Sequence, residues 1–205
     1  MNIPLKISWI KGYNVLTKLK EKLTFFLSIF AKFFHEIHLG PTAVSCLGLF
    51  FALLSAIAYY FGLESMPTWI AAVIFLSLSG LCDAVDGVMA RLYRQATRFG
   101  GFIDSVLDRA GEILIFSGIM LGNLCSLTWC LLALTASLMV SYIRSRAEIE
   151  GVQMERVGIA ERPERILILI IATVFKEIEA GMILISLLAT LTIIQRVIHA
   201  HRELR

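Results

Sequence analysis

Fourteen uncharged, mostly apolar residues, Trp69-Ile-Ala-Ala-Val-Ile-Phe-Leu-Ser-Leu-Ser-Gly-Leu-Cys82, run directly into Asp83-Ala-Val-Asp86-Gly87-Val-Met-Ala90-Arg91. Eight residues later comes Gly100-Gly-Phe-Ile-Asp104-Ser-Val-Leu-Asp108, and the chain then turns apolar again. A helix entering a membrane is the natural form for the first half, because lipid offers no partner for open backbone groups. On a helix Asp83 and Asp86 stand three apart and Asp104 and Asp108 four apart, so each pair presents its oxygens on one face. A hairpin over Leu92 to Phe99 would set the two pairs against each other near a membrane edge.

The whole chain carries the same signature. Of 205 residues 58% are hydrophobic and 17% charged, with a mean hydropathy of +0.78, which excludes a water-soluble single-core domain. A net charge of +3 gives no argument for nucleic-acid binding. About 20 apolar residues cross a bilayer as a helix, and the pattern predicts six spans at about 43–61, 68–91, 101–122, 126–147, 163–177 and 180–198. The expected fold is an all-α membrane protein organised as one domain over 1–205, with residues 1–38 forming an interfacial amphipathic helix and 43–198 a six-span bundle. In the N-terminal part Leu16, Leu19, Leu23, Phe26, Leu27, Phe30, Phe33 and Phe34 recur at helical spacing, with the lysines largely on the other face. Those lysines interrupt the apolar run and no small-residue cleavage site follows, which argues against a secretory leader.

Leu63 to Pro67 and Gly122 to Leu127 carry no Lys or Arg. With the N-terminus inside, 18 of the 19 basic residues lie on or near the cytoplasmic side, Lys176 being the exception. The bias predicts an N-in, C-in multi-pass protein of the cell membrane, its carboxylates facing the cytoplasm. The fifth span is anomalous: ten uncharged residues separate Arg165 from Lys176, about 15 Å of helix and half a bilayer. A polar cavity bounded by the ends of the second, third and fifth spans would accommodate so short a helix. Cys46, Cys82, Cys125 and Cys130 sit in apolar stretches and read as small buried residues rather than disulfide or zinc ligands. His35, His38, His199 and His201 flank the spans without ligand spacing.

Four converging aspartates repel one another and resist ionisation unless cations neutralise them. An all-oxygen set suits a hard ion, Mg2+ or Mn2+, and offers no soft ligand. Metal ions holding a diphosphate would polarise its phosphorus while a carboxylate takes a proton from an attacking alcohol. Metal-assisted phosphoryl transfer at a membrane surface is the chemistry this points to.

From Asp83 to Asp108 the string D-x-x-D-G-x-x-A-R, eight residues, G-x-x-x-D-x-x-x-D is unbroken, and it resembles the signature of the CDP-alcohol phosphotransferases. The resemblance implies two metal ions held by Asp83, Asp86, Asp104 and Asp108, with Asp108 also the general base. It implies that Gly87, Arg91 and Thr97 hold the cytidine diphosphate, together with the Gly40 to Ala43 turn, where Thr42 stands in place of the family's more frequent Asn or Asp. A homodimer is implied as well.

The acceptor alcohol must be read elsewhere. Ser141-Tyr-Ile-Arg144-Ser-Arg146-Ala-Glu148 closes the fourth span and Glu161-Arg162-Pro163-Glu164-Arg165 opens the fifth. Guanidinium groups at a helix start suit a dianionic phosphate, so Arg144, Arg146, Arg162 and Arg165 are the expected acceptor-phosphate ligands. These strings resemble the branch that uses inositol 1-phosphate, the phosphatidylinositol phosphate and archaetidylinositol phosphate synthases. The expected reaction is CDP-lipid (CDP-archaeol or CDP-diacylglycerol) plus inositol 1-phosphate giving CMP, with glycerol 3-phosphate the alternative acceptor and a divalent cation transporter the remote alternative. Glu112, one turn beyond Asp108, is expected to hydrogen-bond between helices.

Overall fold

The computed structural model describes residues 13–154 and 157–205, with side chains described from residue 24 onward. The expectations placed on residues 1–12 and Arg156, and on the side chains of Leu16, Leu19 and Leu23, lie outside the described residues. Among the described residues there are seven helices and no strand: α1 (Tyr13–Glu36), α2 (Pro41–Tyr60), α3 (Met66–Leu92), α4 (Arg98–Leu121), α5 (Leu127–Ile149), α6 (Arg162–Val174) and α7 (Ile178–Glu203). Four of them, α2, α3, α5 and α7, are long and apolar enough to cross a membrane. α4 carries Asp104, Asp108, Arg109 and Glu112, and α6 has 13 residues, a rise of about 20 Å that falls short of the roughly 30 Å hydrocarbon layer.

The helix ends follow from local chemistry. Pro41, Pro67 and Pro163 stand in the first turns of α2, α3 and α6, where a missing N–H costs nothing. Thr97 caps α4 by accepting from Gly100 N at 2.9 Å. α3 closes in a Schellman turn: Arg94 takes φ 54°, and Gln95 N donates to Ala90 O at 2.9 Å. That closure makes the short connection to α4 that the two aspartate pairs require.

α2 packs against α3 and α4, α5 against α7, and α6 lies between α3 and α7, while α1 rests on α3. The core sets small residues, including Ala52, Ala72 and Ala133, among Tyr59, Leu76, Ile119, Leu169, Met182 and Ile185. Small side chains let membrane helices approach closely. One close approach is Gly118 on α4 against α2, where a Cβ would lie 2.7 Å from Ala56 Cα. α1 docks through Leu27 and Ala31 on Val85 and Met89, and its last turn stacks His35 on Tyr93 with ring centroids 3.7 Å apart. Phe50, Leu53 and Ile57 on α2 and Leu184, Leu187 and Leu191 on α7 are exposed stripes, the outward face a bilayer covers.

The end of the short α6 is tied to two neighbouring helices. Thr173 Oγ1 donates to Leu169 O at 2.7 Å, so the 2.6 Å contact with Tyr59 must be donated by the phenol. Trp69 Nε1 donates to Thr173 O at 2.8 Å, and Lys176 lies over the Trp69 ring. One carbonyl near the end of the truncated helix is thus met by Trp69 of α3, while Tyr59 of α2 holds the Thr173 hydroxyl. Cys82, Cys125 and Cys130 are buried free thiols; Cys46 differs, being exposed on the outer face of α2.

Candidate active site

The α3–α4 hairpin brings Asp83, Asp104 and Asp108 together, one oxygen of each within 4.8 Å of the others. Asp104 Oδ1 is buried and, among the described residues, has no hydrogen-bond partner. Hard carboxylate oxygens at this separation, one of them orphaned, fit a divalent cation. Asp86 neighbours Asp104 without joining that trio: it is 5% exposed and accepts a 2.6 Å bond from Ser45 on α2. Ser45, which the motif does not include, thereby fixes one carboxylate from a third helix.

Two cavities flank the aspartates. The first, about 140 Å³, is lined by Thr42, Ser45, Asp86, Gly87, Thr97 and Gly100 among others. It is a narrow cleft between the start of α2 and the α3–α4 connection. A Cβ on Gly100 would fall 2.9 Å from Thr97 Oγ1, so the absence of side chains keeps the cleft open. Thr42, Gly87 and Thr97 thus share one wall system, whereas Arg91 is exposed, its guanidinium beside Gly87 rather than in the wall.

The second cavity, about 410 Å³, lies on the other side of Asp83, Asp104 and Asp108. α5 and α7 contribute to it besides α3, α4 and α6, so it is bounded by more elements than the sequence suggests. Arg109, Arg144, Arg162, Arg165 and Arg196 all line it, with Ser105, Ser141 and Ser145 between them. Arg162 Nη1 donates to both Asp83 and Asp108, tying the start of α6 to the hairpin. Arg144 pairs with Glu148 at 2.9 Å and approaches Glu161 at 3.9 Å.

Two of the expected phosphate ligands are placed differently. Arg146 is not in the wall; it is exposed and pairs with Glu150 at 2.5 Å. Arg144 and Arg146 are two residues apart on a helix, about 200° around its axis, and cannot face one cavity together. Arg165, 2% exposed, donates through Nε and Nη2 to Glu112 Oε1 at 3.0 and 2.6 Å and through Nη1 to Ala160 O at 2.8 Å. Glu112 therefore does bond between helices, α4 to α6, and Arg165 serves that buried pair.

Arg196 was not among the expected residues. It is 1% exposed and donates to Val157 O, Val140 O and Glu161 Oε1 at 2.7 to 2.8 Å. With Thr192 Oγ1, which accepts from Ile159 N and Ala160 N, it clamps the segment before α6 onto α7. Gly158 takes φ 117° there, with Thr192 and Arg196 closing over it. The signal available in the sequence was a lone Arg inside the last apolar span, a placement that membrane helices reserve for function or pairing.

Comparison with known proteins decides what this arrangement is. The sequence profile described as CDP-alcohol phosphatidyltransferase matches residues 38–198, which takes in every residue of both cavities.

The chain belongs to the CDP-alcohol phosphatidyltransferase family.

It is accordingly an enzyme, a transferase of substituted phosphate groups, and a membrane protein. The archaetidylinositol phosphate synthase of Pyrococcus horikoshii is 36% identical over 190 residues, spanning 93% of this chain and 98% of its own. The phosphatidylinositol phosphate synthase of Mycolicibacterium smegmatis is 31% identical over 179 residues, 80% of this chain and 78% of its own. Among solved structures, Mycobacterium tuberculosis phosphatidylinositol phosphate synthase with CDP-DAG bound superposes with a TM-score of 0.69 at 26% identity, over 85% of this chain and 92% of that one. Its complex with manganese and citrate gives 0.71 at the same identity, over 85% and 88%. Manganese in that neighbour and the three-aspartate cluster here together support use of a divalent metal.

Proposed function

We propose that this CDP-alcohol phosphotransferase moves a phosphatidyl or archaetidyl group from a CDP-lipid to inositol 1-phosphate and releases CMP. The observation that carries the reading is the arginine-lined cavity that shares Asp83, Asp104 and Asp108 with the metal cluster. A phosphorylated polyol is the acceptor that such a wall would hold, and the relatives named above are by name synthases of lipid inositol phosphates.

The cleft of Thr42, Gly87 and Thr97, with Arg91 at its edge, takes the cytidine diphosphate. Asp83, Asp86, Asp104 and Asp108 hold two Mg2+ or Mn2+ ions, which would polarise the diphosphate and stabilise the leaving phosphate. Asp108, on the side shared with the second cavity, accepts the proton of the attacking hydroxyl. The hydroxyl oxygen then bonds to the lipid-proximal phosphorus as the bond from that phosphorus to the CMP oxygen breaks, and CMP departs with the electron pair. Arg144 and Arg162 bind the acceptor's own phosphate. Arg165 and Arg196 act behind them, one holding α6 to α4 and the other holding the preceding segment to α7.

In the membrane, α4 and α6 complete six spans with α2, α3, α5 and α7, both termini and the site face the cytoplasm, and two copies form a homodimer. The lipid tails stay in the bilayer while the polar acceptor arrives from water. CMP release by purified protein with Mg2+ or Mn2+ tests this, using CDP-archaeol and CDP-diacylglycerol against inositol 1-phosphate and glycerol 3-phosphate. Preferred turnover of inositol 1-phosphate is the expected result. Preference for glycerol 3-phosphate, or no CMP from any pair, overturns it.

A further inference from the structure

Glu112 has a feature that the metal, phosphate and helix-pairing roles leave unused. It lies four residues beyond Asp108 on α4, is 4% exposed and lines the second cavity. Both hydrogen bonds from Arg165 end on Oε1. Oε2 is buried and, among the described residues, has no hydrogen-bond partner. Arg165 has little left for it, because its Nη1 goes to Ala160 O. A carboxylate oxygen accepts and never donates, so phosphate is repelled there and the fitting partner is a neutral donor. Unmet acceptors of this kind are rare in folded interiors and call for a partner.

We propose that Glu112 Oε2 accepts a hydrogen bond from a hydroxyl of the polyol ring, remote from the hydroxyl that attacks, and so selects a cyclic polyol phosphate. This rests on the acceptor reading above. Four residues of α4 separate Asp108 from Glu112, a rise of about 6 Å. Hydroxyl oxygens on opposite carbons of a six-membered ring are on the order of 5–6 Å apart by ordinary bond lengths. One hydroxyl then meets Asp108 while another reaches Glu112. The hydroxyls of glycerol phosphate sit on adjacent carbons and cannot span that rise.

The test measures kcat/KM from CMP release for inositol 1-phosphate and its monodeoxy analogues, with wild-type protein and Glu112→Gln. A hydrogen bond to a charged acceptor predicts that wild type loses about 10- to 100-fold on one deoxy analogue. Glu112→Gln, which puts a neutral amide in place of the charged acceptor, should lose much of that factor on the parent acceptor, mostly through its KM, and depend less on the same hydroxyl. Its CDP-lipid KM and Mn2+ affinity should match wild type. If Glu112→Gln is not recovered folded, Glu112→Gln/Arg165→Met, which removes both charges, takes its place. The inference is overturned if no monodeoxy analogue that keeps the attacking hydroxyl costs wild type more than threefold, or if the variant slows all such analogues equally, the mark of a purely structural pair. Wild type that uses glycerol 3-phosphate but not inositol 1-phosphate overturns the acceptor reading as well, and that appears before any variant is made.

Discussion

Replacing Arg165 with Met, while leaving Glu112 in place, separates the worth of the buried pair from the cost of breaking it. Arg165 and Glu112 are 2% and 4% exposed, and the change deletes the donors at 2.6 and 3.0 Å and the bond to Ala160 O at 2.8 Å. A buried carboxylate that loses its hydrogen-bonded cation costs about 3–5 kcal/mol. For a chain of this size one kcal/mol moves the unfolding midpoint about 2–4 °C, so Arg165→Met should lower it by roughly 6–20 °C. In Arg165→Met/Glu112→Leu no charge remains buried, and the pair is replaced by apolar groups of similar volume, a change that is often neutral or stabilising. The remaining loss is the Ala160 carbonyl bond, about 1 kcal/mol. The double variant should therefore recover most of the midpoint, regaining about 3 kcal/mol of what the single variant loses. Thermal unfolding in detergent at one fixed scan rate is the assay, because membrane-protein unfolding is read as a rate when it is irreversible. A single-variant shift under 2 °C, or a double variant no better than the single, would refute the reasoning: the guanidinium would then not be neutralising a buried carboxylate.

Arg162→Gln should tighten Mn2+ binding by more than about tenfold, since the guanidinium that bonds Asp83 and Asp108 is a like charge a few ångströms from the cation. The same change should raise the acceptor KM, and unchanged Mn2+ affinity by titration or electron paramagnetic resonance would count against the placement. Asp108→Asn should lower kcat by about 10²-fold or more while CDP-lipid binding persists, measured by CMP release alongside calorimetry; a near-normal rate removes Asp108 as the base. Arg146→Gln should leave the acceptor KM within twofold, because the Arg146–Glu150 pair is exposed and such pairs contribute little; a tenfold rise would put Arg146 back at the acceptor.

How much of this was legible beforehand differs by element. The helix ranges follow from local chemistry, so 68–91 became Met66–Leu92 and 101–122 became Arg98–Leu121 with small shifts at the caps. The helical character of residues 13–36 likewise followed from their periodicity, although the docking of Leu27 and Ala31 on α3 did not. Asp83, Asp104 and Asp108 come together because they lie on one hairpin, where few residues intervene, while Asp86 is held by Ser45 of α2. Arginines were harder. Arg144 and Arg146 look alike as letters, yet only one faces the cavity; Arg162 and Arg165 share one turn, yet one meets Asp83 and Asp108 and the other Glu112. Arg196 and Ser45 stand outside any motif, and each gains its role from a helix distant in sequence.

The amino-acid sequence by itself determined the membrane environment, the helices, the family signature and the four carboxylates, because hydropathy, caps and short-range spacing act within a turn or two of the chain. Only the tertiary structure decided which guanidinium groups line the larger cavity, which are consumed in buried pairs, and that Glu112 keeps one oxygen unmet among the described residues. Those outcomes depend on how α4, α5, α6 and α7 meet, and a long charged side chain takes whatever partner the neighbouring helix brings within reach.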